Sequence, residues 1–381
     1  MSTLKVGLVL DDSLDKTDGV QQYVLIIGRW LAARGHDVHY LVGQTKRSDL
    51  PNLHSLARNV KVRFNQNRMA MPLPASMRAV RALLAREQFD VLHVQVPYSP
   101  LLAGRIIKAA GPRTAVVGMF HILPHSTVVT AANHVLGRWA KVQGSLGRFD
   151  AVMANSAPTG EFAKRTFGIE TQVIPLPIEL QKFSGAKPLA RYASGKTVLF
   201  LGRLVERKGC QYLLRAVAHA VAHKTWPADG RVVICGGGHL AEQLKAYAGA
   251  HGLEKIVEFA GFIAEEDKAR YLASADVVAY PSTGGESFGI VLLEAMAAGR
   301  GVVLAGDNPG YASVMAPRPQ SLFDPRDIPA FAAKIIAALT DQKASKAAAA
   351  WQQEYIRQFD IDKVGARTVA FYEEALHKRR A

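Results

Sequence analysis

With 381 residues and 49% hydrophobic side chains, the chain has material for two ordinary cores rather than one, and no apolar run approaches the length that crosses a bilayer. Its formal charge of +15 suits an anionic partner, whether nucleic acid, an anionic membrane surface or a phosphate-bearing small molecule. Zinc-finger spacing and aromatic-basic repeats are missing, which argues against nucleic acid.

The run Lys5–Leu10 is cut short by Asp11 and Asp12, so it predicts a first strand and neither a signal peptide nor a membrane anchor. A cytoplasmic location is expected. Further runs at Asp37–Val42, Lys61–Phe64, Val91–Val96, Ala115–Phe120 and Ala151–Ala154 read as buried strands. Helical periodicity occupies Gln21–Arg34, Ala75–Gln88 and Leu101–Ala110 between them. Alternation of this kind predicts a parallel, doubly wound α/β sheet over residues 1–177. After Pro175-Leu-Pro177 the pattern restarts, with strands at Thr197–Leu201, Arg231–Cys235, Ile256–Phe259, Val277–Tyr280 and Gly301–Leu304. A second such domain is expected over 178–358, facing the first across a cleft, with a helix over 359–381 crossing back to the first domain. Ligands of open α/β sheets collect at the carboxyl ends of strands. Cys210 and Cys235 lack Cys-x-x-Cys or metal-ligand spacing, which predicts buried thiols and no disulfide framework.

Four segments of the second half sit where such a ligand would lie. Gly284 to Gly299 holds Glu286 on a glycine-rich turn and Glu294 inside the helix that follows, so Ser287, Phe288, Gly289, Ile290 and Val291 would offer backbone N–H groups to an anion. Leu201 to Gly209 brings Gly202, Arg203 and Lys208, two cations suited to a diphosphate. Gly236 and Gly237 end a strand in a turn that lets backbone approach a phosphate. Phe262 and Ile263 follow another strand end, where a flat ring can lie. Each segment alone also fits a surface turn or a capped helix.

Together and in this order, these segments resemble the retaining GT4-type glycosyltransferases of the GT-B fold. The resemblance implies that Glu286 contacts the donor sugar, Glu294 the nucleotide ribose, Arg203 and Lys208 the diphosphate, and the backbone near Phe262 the base. It implies a nucleotide-diphosphate sugar as substrate, with no cofactor and no metal. In the first half, Asp18-Gly19-Val-Gln21 and Met119-Phe-His121-Ile resemble turns of the phosphatidylinositol mannosyltransferase branch. This places His121 near the reacting sugar and Asp11, Gly19, Gln21 and Tyr98 on the acceptor side. One departure stands out: Pro97-Tyr98-Ser99-Pro100 occupies the place of that branch's Pro-Asn-x-Pro.

The expected reaction is hexose transfer, mannose from GDP-mannose in the first instance, to a glycan or lipid acceptor such as an inositol lipid. A UDP-sugar transferase with a soluble or polysaccharide acceptor and a non-catalytic nucleotide-sugar- or membrane-binding protein are the alternatives. The apolar Met69–Pro74, read as a loop, precedes the basic helix with Arg78, Arg81 and Arg86, and the pair suits an anionic membrane surface or, equally, a helix spent on the sheet.

Overall fold

The computed structural model describes residues 3–15, 18–64, 67–73, 75–123 and 146–381. The chain forms two compact units, residues 1–177 with 361–381, and residues 178–360. In the first, β1 (Lys5–Leu10), β2 (Asp37–Val42), β3 (Leu53–Ser55), β6 (Val91–Gln95), β7 (Ala115–Phe120), β8 (Ala151–Ala154) and β9 (Gln172–Val173) build one parallel sheet in the order β3-β2-β1-β6-β7-β8-β9. Val91, Leu92 and Val94 and all six residues of β7 are buried, the continuous apolar run of a strand covered on both faces.

The second unit repeats the plan with β10 (Lys196–Leu201), β11 (Gly230–Cys235), β12 (Val257–Gly261), β13 (Val277–Tyr280), β14 (Val302–Gly306) and β15 (Leu322–Phe323), ordered β12-β11-β10-β13-β14-β15. In each sheet the order reverses beside the first strand, between β1 and β6 and between β10 and β13. Ligands of doubly wound sheets bind outside the carboxyl ends of the strands at that reversal.

Two expectations need correction. Lys61–Phe64 does not join the parallel sheet: β4 (Asn59–Phe64) pairs antiparallel with β5 (Asn67–Pro72) in a separate two-stranded hairpin. Consequently most of Met69–Pro74 is a strand and not a loop; the side chains of 60–72 lie outside the described residues. The basic helix runs Met77–Glu87, capped by Ser76 accepting from the Ala79 N–H, with Val80 and Leu83 buried. Its apolar face is spent on the core of the first unit.

The final helix, Ile361–Arg380, packs on the first unit against the helix Gly19–Ala33 and β7. Asp362 accepts from the Trp30 indole at 2.7 Å and from Arg34 at 2.5 Å, and the Tyr372 hydroxyl lies 2.6 Å from His93 Nδ1. Gly365 lets the helix approach closely, because a Cβ there would lie 2.6 Å from the Trp30 ring. Gly365→Ala is expected to lower unfolding stability by about 1–3 kcal/mol through overpacking, read as a fall in urea midpoint; an unchanged midpoint would show that the helix contributes little. Among the described residues, no helix is long and apolar enough to cross a membrane.

Candidate active site

In the second unit, the loop after β10 and the loop after β13 are tied together by backbone. Gly209 adopts φ +75°, and a Cβ there would come within 1.8 Å of the Pro281 carbonyl oxygen. The Thr283 N–H and the Ser282 hydroxyl both donate to the Arg207 carbonyl, at 2.9 and 3.0 Å. This approach carries Arg207 and Lys208 to Glu286. Glu286 Oε1 accepts from Arg207 Nη1 at 2.7 Å, Lys208 Nζ at 2.8 Å and Ser282 Oγ at 2.8 Å. The three charged side chains are only 12–17% exposed. Burial pushes the Glu286 carboxyl up, but Lys208 and Arg207 outweigh it and hold the group below the usual carboxylate range. The Lys208 ammonium is lowered as well: here burial outweighs the pull of Glu286, and the charges of Arg207 and Arg203 add to the lowering. Two cations on one carboxylate leave a net positive charge at the sheet reversal, where an anion gains most.

The glycine turn after β11 lies against the same loop. The Leu204 N–H donates to the Gly237 carbonyl at 2.9 Å, and a Cβ on Gly236 would meet the Gly202 oxygen at 1.9 Å. Only glycine permits that approach at φ +132°. The helix Ile290–Ala298 begins at Gly289, φ +116°, and no side chain caps it. Phe288 is buried and meets Phe359 edge to face, so from this residue only the backbone is available to a ligand.

Glu294 is 4% exposed and accepts from Lys268 at 2.8 Å, while Lys268 also holds Glu265 at 2.7 Å. Burial raises the Glu294 carboxyl despite Lys268. Phe262, beside Gly261 at φ +70°, is 86% exposed and Ile263 is half-buried. Sequence reasoning missed Arg207 and Lys268. The first sits in an ordinary Glu-Arg-Lys triplet and the second at the end of an acidic run, and neither local pattern distinguishes an ion pair from a solvated face.

In the first unit, Asp11, Gln21 and His121 follow or face the carboxyl ends of β1 and β7. Asp11 accepts from the Ser99 hydroxyl and from the Ala103 N–H at 2.6 Å, spanning the sheet reversal; burial raises it to about 6, against both hydrogen bonds. The Gln21 amide donates to Asp12 at 3.0 Å, leaving its buried oxygen without a partner among the described residues. Gly19 opens the first helix, where a Cβ would meet nothing. His121 is 5% exposed, with Nε2 at 2.5 Å from the Gln95 side-chain oxygen. Tyr98 is 6% exposed, with its ring stacked on Phe167 at 4.8 Å and tilted on Phe120 in the aromatic cluster under the loop.

Cys210 and Cys235 are both fully buried, and burial pushes the Cys235 thiol up to about 12. Away from these sites, at the amino ends of β1 and β2, His39 Nδ1 and His54 Nε2 face each other at 2.9 Å beside Glu87. The contact has hydrogen-bond length, and Glu87 is already paired with Lys5 at 2.8 Å.

Comparison with known proteins agrees with this architecture. Residues 17–182 match Glycosyltransferase Family 4 and residues 185–355 match Glycosyl transferases group 1. The chain is 33% identical to a phosphatidyl-myo-inositol mannosyltransferase of Mycolicibacterium smegmatis, over 97% of this chain and 94% of that protein. It is 27% identical to a GDP-mannose-dependent alpha-(1-6)-phosphatidylinositol monomannoside mannosyltransferase of Mycobacterium tuberculosis, over 96% and 97%. Among solved structures, Anabaena Alr3699/HepE in complex with UDP superposes with a TM-score of 0.75 at 19% identity, covering 97% of this chain and all of that one. The protein is an enzyme of the group 1, family 4 glycosyltransferases, with the GT-B fold.

Proposed function

We propose that the enzyme moves mannose from GDP-mannose to a hydroxyl of an inositol-bearing lipid, with retention at the anomeric carbon and without a metal. The observation that carries the transfer chemistry is the single carboxylate oxygen of Glu286 shared by Arg207 and Lys208 at the sheet reversal. The names of the mannosyltransferase relatives support the choice of sugar, base and acceptor. In this reading Arg203 and Lys208 hold the diphosphate, and Gly202, Gly236 and Gly237 let it approach. The N–H groups of Ser287 to Val291 meet its negative charge. Glu286 holds a hydroxyl of the donor sugar, Glu294 the ribose, and Phe262 with Ile263 the base. His121, Asp11, Gly19 and Gln21 line the acceptor side, with Asp11 holding its loop. The acceptor oxygen attacks the anomeric carbon from the leaving-group face. Its proton passes to the departing phosphate as the bond from carbon to phosphate oxygen breaks, so no carboxylate nucleophile is needed. The protein supplies positioning and fixed charge.

A panel of GDP, GDP-mannose, UDP and UDP-glucose tests the donor by thermal shift, with Arg203→Ala and Lys208→Ala as controls. Stabilisation by the guanosine pair alone, lost in both controls, is expected. Stabilisation by the uridine pair alone would contradict the donor and favour a UDP-sugar transferase; no shift with any donor would indicate a chain that keeps the fold without the reaction.

The lipid acceptor brings the enzyme to an anionic surface. Arg78, Arg81 and Arg86 are exposed on the helix whose apolar side is buried, so the contact proposed is electrostatic and not inserted. Replacing all three by Ser should weaken binding to vesicles of anionic phospholipid by roughly 3 kcal/mol, about 1 kcal/mol per arginine, while leaving transfer to a short-chain soluble acceptor intact. Sedimentation with vesicles checks this, and undiminished binding would remove the helix from the membrane surface.

A further inference from the structure

We propose that Gln95 is a positioning residue that fixes the tautomer of His121, so that the ring presents a bare lone pair at Nδ1 and accepts a hydrogen bond from a substrate hydroxyl. The inference rests on the reading that puts His121 beside the reacting sugar. Gln95 closes β6 and is fully buried, and its neighbour in the register of β7 is Met119, two residues before His121. The Gln95 amide nitrogen donates to the His93 carbonyl at 3.4 Å, which turns the side-chain oxygen towards His121 Nε2 at 2.5 Å. A carbonyl oxygen only accepts, so Nε2 carries the hydrogen. Burial depresses the His121 ring to about 3, so near neutral pH it holds one proton. That proton is at Nε2, and Nδ1 is left as a buried acceptor with no partner among the described residues.

The titratable groups around the ring among the described residues do not disturb this assignment. Tyr23 of the first helix meets His121 edge to face at 5.1 Å, and burial raises its phenol, so it stays neutral. His93, on the other side of Tyr23, is pushed down to about 3 by burial and by His121. Tyr372, which bonds His93 and not His121, is raised well above the usual phenol range by burial.

An acceptor lone pair makes a specific demand on the substrate. A free hydroxyl satisfies it, whereas an O-methyl or deoxy group at the same carbon does not. The opposite tautomer would donate and would tolerate the ether.

The test uses the full-length protein with 15N-labelled histidine. The His121 resonances should show hydrogen at Nε2 and none at Nδ1, unchanged down to about pH 5. Gln95→Glu places a carboxylate on Nε2, raises the His121 pKa and holds the ring as imidazolium at neutral pH. Nδ1 then carries a hydrogen, and transfer at pH 7 should fall about tenfold, the worth of one hydrogen bond. The ring is charged below its raised pKa and neutral above it, so activity should recover as pH rises. Gln95→Leu releases the tautomer and should cost about threefold at all pH values. A merely structural role would lower both variants in parallel with no change in pH profile, and that outcome overturns the proposal. So does hydrogen at Nδ1 in the wild type. If the tautomer is as described but His121→Ala transfers mannose at the full rate, the placement of His121 at the sugar fails, separately from the assignment of the proton.

Discussion

Lys208→Ala is expected to weaken GDP binding about 100-fold while leaving the fold nearly intact. A charge-assisted hydrogen bond is worth about 1.5–3 kcal/mol net, and the upper end applies because Lys208 is 17% exposed and poorly screened. In the native protein Arg207 and Lys208 together outweigh Glu286 by one positive charge, and Arg203 adds to it electrostatically. Without Lys208, Arg207 and Glu286 form a neutral pair 2.7 Å apart, and the field that draws a diphosphate loses its nearest source. Glu286 still accepts from Arg207 and Ser282, so no buried charge is stranded and the urea midpoint should fall only slightly. Calorimetric titration with GDP checks the affinity. An unchanged dissociation constant would place the diphosphate away from this loop.

Glu286→Gln should do the opposite to binding and the greater harm to catalysis. The amide keeps the shape and one oxygen for Ser282, but it no longer neutralises Arg207 and Lys208. Lys208 is then freer to meet the diphosphate, so GDP affinity should hold or rise. Transfer should fall about tenfold, because the group assigned to the donor sugar has lost the charge that strengthens its hydrogen bond by about 1.5 kcal/mol. Two buried cations without a counter-ion also cost folding stability, by roughly 3 kcal/mol, which bound donor offsets in part. The diagnostic is the split between a retained dissociation constant for GDP and a depressed kcat. Equal losses in both would mean that Glu286 acts only by holding the loops together.

What the sequence disclosed follows physical lines. Strands buried on both faces announce themselves as apolar runs, and Val91–Val94 and Val277–Tyr280 were legible for that reason. Asn59-Val-Lys-Val-Arg-Phe64 alternates instead, which is the period of a one-faced antiparallel pair, and reading it into the parallel sheet ignored that difference. Leu53–Ser55 and Gln172–Val173 are too short to carry any period. In the site, the two glutamates and the flanking glycines stood out because glycine at strand ends is a backbone requirement that composition rarely imitates. Arg207 and Lys268 became visible only as partners of those glutamates across 79 and 26 residues of chain. The apolar body and polar tip of Tyr98 fit both a binding loop and a core, and its packing on Phe120 and Phe167 is a long-range contact that no local pattern announces.

The central claim is best tested by incubating the purified enzyme with labelled GDP-mannose and vesicles containing phosphatidylinositol, without added metal and with chelator present. The account predicts a mannosylated lipid in the α configuration, formed with release of GDP and more slowly in Glu286→Gln. A product of inverted configuration, or transfer that proceeds from UDP-glucose and not from GDP-mannose, would contradict it.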